Sequence, residues 1–361
     1  MNKNILVTGG AGFIGSNFVH YLQRNAPDTN IINLDALTYA GRLENLQGLP
    51  QPEKHTFMRG DICNDELVEK LLREHAIDTI VHFAAESHVD RSLLGPKAFV
   101  ETNIVGTFTM LEAARKVWIE DGILSGENVR FHHISTDEVY GTLTPDDPAF
   151  TEKTPYDPTS PYAASKASSD HLVRAYGNSF GFPFTISNCS NNYGPYQFPE
   201  KLIPLIITNA LNGKALPIYG DGMQIRDWLY VEDHCEAIWT IINKGEPGES
   251  YNIGGENQPP NIEIVKTICD IIDQSGASLP VKPCRDLITY VKDRPGHDRR
   301  YAMNIDKIKR ELGWQPRHDL KAGLKKTVAW YMDNGNWLAA IQTKQDYQDW
   351  VDKNYQKRGK Q

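Results

Sequence analysis

The stretch Ile5-Leu6-Val7-Thr8-Gly9-Gly10-Ala11-Gly12-Phe13-Ile14-Gly15 decides the fold of this chain. Its apolar start predicts a buried β-strand over Asn4–Thr8 that runs into a glycine-rich turn and then a helix. Gly9 permits a tight turn, Gly12 lets the backbone approach a pyrophosphate, and Gly15 lets the helix pack closely on the strand. The amides at the start of that helix would face the phosphates. Strand, glycine triplet and helix in this order predict a dinucleotide-binding βαβ unit.

The strand that follows this helix ends in an acid, and this acid bears on the choice of cofactor. Asp35 comes 20 residues after Gly15, and its carboxylate can accept hydrogen bonds from a ribose 2′-hydroxyl while repelling a 2′-phosphate. No Arg or Lys occurs between Asp35 and Gly41, so the pattern favours NAD over NADP. Asp61 follows a third strand and is suited to bind the adenine amine, but a plain helix N-cap is an equal alternative.

The first half of the chain alternates short β-rich runs with longer helical patterns. Strands are predicted at Asn4–Thr8, Ile31–Asp35, Thr56–Arg59, Thr79–Phe83, Arg130–Ser135 and Phe184–Cys189, and helices at about Thr102–Trp118 and after Pro161. This alternation predicts an α/β fold with a Rossmann-type, doubly wound parallel sheet over residues 1–190. A segment near 228–255 can return to that sheet, since Trp228–Asn243 has a helical pattern. Residues 191–361 are expected to form mainly a smaller C-terminal α/β substrate domain.

Composition excludes several classes of protein. The 361 residues are 40% hydrophobic and 23% charged, with a formal net charge of −8. These values exclude a disordered chain and a disulfide-rich miniprotein, and they argue against nucleic-acid or anionic-membrane binding. The five cysteines form no C-x-x-C pair and do not cluster with histidines, so we expect reduced thiols and no metal site. No signal peptide or membrane-spanning run is recognisable, so a cytoplasmic location is expected.

A tyrosine and a lysine have the spacing of a proton-transfer pair. Tyr162 and Lys166 are four residues apart, so on a helix they share one face. An ammonium beside a phenol favours phenolate and should lower the pKa of Tyr162, which would give a base for a hydroxyl proton. Taken alone, the pair is better explained as a solvated helix face, and it becomes specific only together with the dinucleotide loop.

Two acids follow the strand that ends at Ser135. Thr136-Asp137-Glu138 would lie at the carboxyl end of that strand, where doubly wound sheets bind their ligands. One interpretation is a capping Asp beside a solvated Glu. The other, favoured by the dinucleotide loop and by Tyr162 with Lys166, is an acid–base pair.

Together these motifs resemble the dTDP-glucose 4,6-dehydratase family, within the extended short-chain dehydrogenases/reductases, over nearly the whole chain. The resemblance is carried by Thr8–Gly15, Ala84–Asp90, Thr136–Glu138, Tyr162 with Lys166, Asn188–Pro195 and Asp293–Asp298. Thr136-Asp137-Glu138 discriminates most, because sugar-nucleotide epimerases of the family typically lack the Asp-Glu pair.

The resemblance implies a hydro-lyase that converts dTDP-glucose into dTDP-4-keto-6-deoxyglucose for deoxysugar synthesis, such as that of dTDP-rhamnose. Tyr162, assisted by Lys166 and Thr136, would remove the 4-hydroxyl proton. Glu138 would then remove the C5 proton, while Asp137 protonates the departing C6 hydroxyl. NAD would stay tightly bound and be regenerated in each turnover.

The resemblance also implies two sets of binding residues and a homodimer. The cofactor set is Gly9, Gly12, Phe13, Ile14, Gly15, Asp35, Thr38, Asp61, Ile62, Phe83, Ala84, Ala85, Ser87, Thr102, Tyr162, Lys166 and Asn192. The nucleotide-sugar set is Ser87, Thr136, Asn191, Lys201, Leu202, Pro217, Ile218, Tyr219, Arg226, Asn261, Asp293, Arg294 and His297. The homodimer would pair the helix Thr102–Trp118 and the helix bearing Tyr162 with their copies in a four-helix bundle.

Two other functions stay open on the sequence alone. A nucleotide-sugar 4-epimerase would share Tyr162, Lys166 and NAD, but it needs no acid–base pair for loss of water. A non-catalytic NAD sensor would need neither Tyr162 nor Lys166. The nucleobase is carried by the resemblance only, so UDP, CDP and GDP sugars remain alternatives.

Overall fold

A seven-stranded parallel sheet lies at the centre of the computed structural model, which describes residues 3–123, 129–293 and 297–343. The strands are β1 (Asn4–Thr8), β2 (Asn30–Asp35), β3 (His55–Arg59), β4 (Thr79–His82), β5 (Arg130–Thr136), β6 (Phe184–Cys189), β7 (Asn191–Tyr193), β8 (Leu216–Tyr219), β9 (Trp228–Tyr230), β10 (Ser250–Ile253) and β11 (Ile288–Val291). In the large sheet the order is β3-β2-β1-β4-β5-β6-β10. Two small parallel pairs, β8 with β11 and β7 with β9, lie outside it.

Helices connect these strands. They are α1 (Phe13–Asn25), α2 (Asp65–Glu74), α3 (Val89–Leu94), α4 (Pro96–Phe99), α5 (Thr107–Arg115), α6 (Pro161–Phe180), α7 (Leu202–Leu211), α8 (Val231–Lys244), α9 (Asn261–Gln274), α10 (Asp306–Leu312), α11 (Leu320–Asp333) and α12 (Gly335–Gln342). Short 3₁₀ turns cover Leu43–Leu46, Pro52–Lys54, Asp137–Tyr140 and Cys284–Leu287, and π-helical turns cover Val100–Gly106 and Lys116–Glu120.

Each face of the sheet is covered by a different set of helices. Leu6 of β1 packs in one core with the apolar sides of α2, α5 and α6. Its neighbours Ile5 and Val7 pack in another core with α1 and α8. Alternate side chains of a strand point to opposite faces, so a parallel strand covered on both sides is apolar throughout. The six predicted strands agree with β1–β6 to within one residue at each end.

Two predicted helices have different bounds in the structure. The helix predicted at Thr102–Trp118 lies inside a longer helical run, because α4, a π-helical turn, α5 and a second π-helical turn follow one another from residue 96 to residue 120. The start of the helix predicted at Trp228–Asn243 is wrong. Trp228–Tyr230 forms β9, which pairs with β7, and the helix begins at Val231 with two acids in its first turn. Bulky aromatic residues suit a strand here, and acids suit a helix start.

The chain returns to the large sheet after residue 190. Strand β10 pairs with β6, and α8 packs against α1. A separate core joins α7, α9 and α11 with β8. The division of the chain into two domains at residue 190 stays a prediction. No helix within the described residues is long and apolar enough to cross a membrane.

Candidate active site

A cleft of about 340 Å³ opens where the strands of the large sheet end. Its walls come from the turns that follow β1, β2, β3, β4, β5 and β6, from the start of α6, and from residues 197–201. Every residue of the predicted cofactor set lines this cleft, and so do all five residues predicted to be catalytic. Ligand sites of this volume at the carboxyl ends of parallel strands are typical of doubly wound sheets.

The glycine loop is shaped so that side chains would not fit. Gly9 has a φ of +71°, and a Cβ there would lie 2.7 Å from the backbone N of Ala84. A Cβ on Gly15 would lie 2.3 Å from the carbonyl oxygen of Gly9. Gly12 is the N-cap of α1 and has no side chain to occupy the first amides of the helix. These amides are therefore available to an anion such as a pyrophosphate.

Asp35 occupies the position expected of a ribose-binding acid. Its Oδ2 accepts from the backbone N–H of Ala11 at 2.9 Å, and its Oδ1 accepts from that of Leu37 at 2.7 Å. A carboxylate oxygen has two lone pairs, so both atoms can accept a further hydrogen bond from a ribose hydroxyl. Arg42, the next cation along the chain, donates to Glu44 at 3.1 Å.

The N-cap interpretation of Asp61 is wrong. The cap of α2 is Asn64, whose Oδ1 accepts from the backbone N–H of Leu67 at 3.0 Å. Asp61 instead closes a local turn by accepting from the backbone N–H of Cys63, and it lines the cleft.

Helix α6 carries Tyr162 and Lys166 into the cleft. Ser160 caps the helix by accepting from the backbone N–H of Ala163, and Pro161 occupies the first helical position. Lys166 is buried, and its Nζ donates to the carbonyl of Ile134 at 2.7 Å. Burial lowers the pKa of this lysine to about 8. The pair therefore belongs to a buried face, and the alternative of a solvated helix face is wrong.

The pKa of Tyr162 is raised, not lowered as the lysine spacing predicts. Burial is the largest cause, and the nearby Glu138 carboxyl and Cys189 thiol add to it, while a hydrogen bond with Thr136 opposes the shift. Burial disfavours a phenolate, and a carboxylate beside it repels the second negative charge. The tyrosine is therefore a neutral phenol in this arrangement of the site.

Asp137 and Glu138 lie in unlike surroundings. Thr136 caps the short 3₁₀ turn, since its Oγ1 accepts from the backbone N–H of Glu138 at 3.3 Å. The alternative of a capping Asp137 is therefore wrong. Asp137 is buried, and its Oδ2 has no hydrogen-bond partner within residues 3–123, 129–293 and 297–343. Burial and the neighbouring Glu138 hold the pKa of Asp137 well above its ordinary value. A neutral acid beside a more exposed carboxyl group is suited to donate a proton while its neighbour accepts one.

The nucleotide-sugar set divides into two groups. Ser87, Thr136, Asn191 and Lys201 line the cleft. The residues of the set outside its lining are Leu202, Pro217, Ile218, Tyr219, Arg226, Asn261, Asp293 and His297. Arg294 lies outside the described residues. Ile218 is buried among the side chains of α7 and α9, so it can offer a ligand only its backbone.

Arg226 is buried. Its guanidinium donates to the carbonyls of Ile225 at 2.7 Å and Asp298 at 2.9 Å, and its Cζ lies 4.3 Å from the centre of the Tyr301 ring. Its charge also opposes the rise in the pKa of Asp137. Arg226 therefore places a fixed positive charge near Asp137.

Three further residues of the nucleotide-sugar set, Tyr219, Asn261 and His297, meet around Asp293. Its carboxylate contacts His297 Nδ1 at 2.6 Å and accepts from Gln224 at 2.8 Å. The backbone N–H of Asn261 donates to the carbonyl of Gln224, and the ring of Tyr219 meets that of His297 edge-on. Residues from β8, from the start of α9 and from the chain after β11 are thus brought together outside the lining of the cleft.

One group of cleft residues was missed by the sequence analysis. Glu200 accepts from Arg91 at 3.1 Å and lies 3.6 Å from His88 Nε2, and Arg91 stacks over the ring of Tyr39 with its Cζ 3.9 Å from the ring centre. Glu200 and Tyr39 line the cleft. The ion pair joins residues 109 positions apart, and no spacing in a single sequence signals such a contact.

Comparisons with known proteins agree with this geometry. Residues 6–327 match the family model described as GDP-mannose 4,6 dehydratase. A dTDP-glucose 4,6-dehydratase of Shigella flexneri is 55% identical over 362 residues, covering 98% of this chain and 99% of the relative. The chain belongs to the dTDP-glucose 4,6-dehydratase family. The dTDP-glucose 4,6-dehydratase of Escherichia coli K12 is 54% identical over 98% of this chain and 99% of its own length.

Solved structures include members of the same family. The dTDP-glucose 4,6-dehydratase of Streptomyces venezuelae, with NAD and TYD bound, has a TM-score of 0.84 at 45% identity, covering 94% of this chain and 99% of the other. A UDP-glucose 4-epimerase of Thermus thermophilus in complex with NAD has a TM-score of 0.78 at 28% identity, over 92% of this chain and 99% of the other. The resemblance to the dehydratase family and the predicted Rossmann-type fold are confirmed, and the epimerase is a more distant relative.

Proposed function

We propose that this chain catalyses the NAD-dependent dehydration of dTDP-glucose to dTDP-4-keto-6-deoxyglucose, a precursor of deoxysugars. The observation that carries the proposal is the buried Asp137 beside Glu138, in the same cleft as Tyr162 and Lys166. Loss of water needs an acid and a base close together, whereas epimerisation at C4 needs only the tyrosine and the cofactor. Family members 53–55% identical over nearly the whole chain support the same reaction.

The cleft fits NAD. The glycine loop leaves room for a pyrophosphate, Asp35 can accept from the adenosine ribose, and Asp61 is suited to the adenine. Asn191 Oδ1 and Ser190 Oγ, both in the cleft, are buried without a hydrogen-bond partner among the described residues, as expected of groups that await a ligand. When bound in this cleft, NAD would supply the hydride acceptor for oxidation at C4 and, once reduced, the hydride donor for C6.

The chain's own residues move the protons. Tyr162 first loses its own proton to solvent, and the ammonium of Lys166 stabilises the resulting phenolate, which then takes the proton of the 4-hydroxyl and becomes a phenol again. The ketone at C4 makes the C5 proton acidic enough for Glu138 to remove. Asp137, kept neutral by its surroundings, gives its proton to the departing C6 hydroxyl, which leaves as water. As C6 is reduced, Glu138 returns a proton to C5, so the product keeps its ketone at C4, and Asp137 regains a proton from solvent.

The nucleotide-sugar residues are assigned to the diphosphate, base and sugar as part of this proposal. Arg226 and Lys201 supply positive charge for the diphosphate. Tyr219, Asn261 and the backbone of Ile218 are assigned to the base. Ser87 and Thr136 are assigned to the sugar, and residues 191–361 would contribute most of this binding surface.

An isotope experiment tests the reaction. dTDP-glucose carrying deuterium on C4 is incubated with the protein, and the product is analysed by mass spectrometry and NMR. Dehydration moves the label to the new methyl group of the same molecule. Label retained at C4 of dTDP-galactose would indicate an epimerase, and unchanged substrate would indicate a non-catalytic NAD-binding protein. Either result rejects the proposed reaction.

We also propose a homodimer built on the helical run from residue 96 to residue 120 and on α6. This surface exposes several large apolar side chains, namely Val100, Val105, Phe108, Ile119 and Phe180. Exposed apolar patches of this kind mark association surfaces.

Light scattering after size exclusion should give a mass of about 81 kDa, twice the 40.7 kDa of the chain. Phe108→Glu should lower the measured mass towards that of one chain. Tyr290→Glu, on an exposed strand elsewhere, is the control. A wild-type mass of one chain would reject the dimer.

A further inference from the structure

A buried carboxylate lies close to Lys166 but takes no part in the mechanism above. Asp170 follows Lys166 by one turn of α6 and is fully buried. Its Oδ2 accepts from Ser135 Oγ at 2.7 Å and from the Tyr156 hydroxyl at 2.8 Å. Its Oδ1 has no well-aligned hydrogen bond among the described residues and lies 3.2 Å from His133 Nε2. A carboxylate held this deeply requires a compensating positive charge.

His133 stands between this carboxylate and Lys166. The same Nε2 atom lies 3.3 Å from the Nζ of Lys166 and 3.2 Å from Asp170 Oδ1. Burial and the charge of Lys166 lower the pKa of His133 to about 4, so the imidazole is neutral at neutral pH. The histidine therefore cannot supply the compensating charge. Lys166 is a cation whose charge favours ionised Asp170, whereas Arg174 on the same helix acts on His133 and Tyr156.

We propose that Asp170 is a positioning residue: it is the buried counter-ion that keeps Lys166 charged, with the neutral ring of His133 between the two. The ammonium can then favour the phenolate of Tyr162 while its Nζ remains anchored on Ile134 O. This inference rests on the role proposed for Tyr162 and Lys166. It adds that a residue outside the cleft sets the pH range in which that role is possible.

Two opposing effects on the pKa of Lys166 support the role of Asp170 as its counter-ion. Burial lowers its pKa to about 8, and Asp170 is the largest effect in the opposite direction. Without that carboxylate, burial would act nearly unopposed, and the lysine would lose its proton at a lower pH. Asp170 in turn has a lowered pKa despite its burial, because His133, Lys166 and Ser135 favour its charged form.

Other titratable groups near Lys166 come from several elements. They are His82 on β4, His133 on β5, Asp137 and Glu138 in the 3₁₀ turn, Tyr162 and Arg174 on α6, and Cys189 on β6. His82 and His133 have lowered pKa values, and the pKa of Cys189 is raised to about 12, so these three are neutral near pH 8. They would not change charge in the range where the effect is expected.

The test compares pH profiles of Asp170→Asn and Tyr156→Phe with the wild type. Asp170→Asn keeps the size of the side chain and removes its charge. Tyr156→Phe removes a hydrogen bond from the same carboxylate but keeps the charge, so it is the matched control. We expect the alkaline limb of kcat/KM to move down by about one pH unit in Asp170→Asn and to stay in place in Tyr156→Phe.

A second readout does not depend on turnover. In protein labelled with ¹³C at lysine Cε, the Lys166 resonance, assigned with Lys166→Met, should titrate at a lower pH in Asp170→Asn than in the wild type, with NAD bound in both. Asp170→Ser replaces Asp170→Asn if the latter does not fold, and Asp170→Glu should restore the wild-type titration. An unchanged Lys166 titration in the neutral variants overturns the proposal. If dTDP-glucose proved not to be the substrate, the resonance would still report on Lys166, so the two failures are distinguishable.

Discussion

At the scale of single residues, the site depends on two neighbouring carboxyl groups that differ in burial. Asp137 is the first residue of the 3₁₀ turn and is nearly inaccessible, whereas Glu138 is only partly buried. The charge of Glu138 adds to burial in making Asp137 harder to ionise, because two negative charges this close repel one another. The more buried group retains the proton, so the direction of proton transfer follows from which of the two is deeper.

Changing the base should separate oxidation from loss of water. Glu138→Gln keeps the shape of the side chain but cannot take the C5 proton. We expect the substrate to be oxidised and then to stall, so that absorbance at about 340 nm from reduced cofactor accumulates. Tyr162→Phe, which removes the first base, should show no such absorbance and a loss of at least ~100-fold in rate. Glu53→Gln, on the exposed surface, is the control and should turn over normally. Normal turnover by Glu138→Gln would show that another group removes the C5 proton.

Much of the site could be predicted from the sequence because its chemistry is local. Gly9 to Gly15, Thr136 to Glu138, and Tyr162 with Lys166 are each contained within one short element, and their spacing can be read directly. The groups that hold these residues in place could not be predicted in the same way. Glu200 contacts Arg91, and Asp170 on α6 contacts Ser135 on β5, only after the chain has folded.

At the scale of elements, α6 fixes the height of Tyr162 over the sheet through its contact with β6. Gly177 lies in the last turns of this helix, and a Cβ there would lie 2.1 Å from the ring of Phe184. Phe184 is buried in the core below the helix, so its ring has little room to move. Glycine is therefore needed at this position for close packing rather than for an unusual backbone angle.

Gly177→Ala should destabilise the protein by about 1–2 kcal/mol, since overpacking of roughly 1–3 kcal/mol is partly offset by the better helix propensity of alanine. Gly95→Ala is the matched control, because a Cβ at Gly95 has no neighbour within 4 Å. The measurement is the midpoint of denaturant unfolding for both variants. Equal midpoints would show that α6 is free to shift away from β6.

The elements themselves were predictable to different degrees. Strands β1, β2, β4, β5 and β6 are buried along nearly their whole length, and their apolar residues mark them in the sequence even where buried polar residues interrupt the run. Strand β3 lies at the edge of the sheet and is only partly buried. The short pairs β7 with β9 and β8 with β11 were not predicted, because strands of three or four residues leave too little pattern to recognise. The pattern assigns Trp228–Tyr230 to a helix because its aromatic side chains also fit the apolar face of the helix that follows.

At the scale of the whole molecule, the core contains several fully buried histidines. His82, His132, His133 and His234 are all enclosed, and burial lowers each of their pKa values, to about 4 for His133 and about 3 for His234. Each is neutral in the folded chain and becomes charged near pH 6.5 in the unfolded chain. Their contribution to stability is therefore present above pH 6.5 and is lost as the pH falls towards the folded pKa values.

Acid should destabilise the protein steeply below pH 6.5, by about 1.4 kcal/mol per pH unit for each such histidine. His234→Gln removes one titrating group while leaving a side-chain amide to donate to Asn192 Oδ1, which His234 Nδ1 contacts at 2.9 Å. We expect the slope of unfolding free energy against pH between 6 and 4 to decrease by roughly that amount per unit. His171→Gln, on the exposed surface, should leave the slope unchanged. Equal slopes for His234→Gln and the wild type would contradict this account.

The return of the chain to β6 has a consequence for synthesis on the ribosome. Strand β10, the outermost strand on that side of the sheet, comes about 60 residues after β6 ends. A nascent chain of which only the first 190 residues have left the ribosome would expose β6 as an unpaired edge strand that other nascent chains could pair with. This edge is covered only after Ile253 has been synthesised, so premature termination between residues 190 and 253 should give aggregates rather than a half-sized NAD-binding fragment.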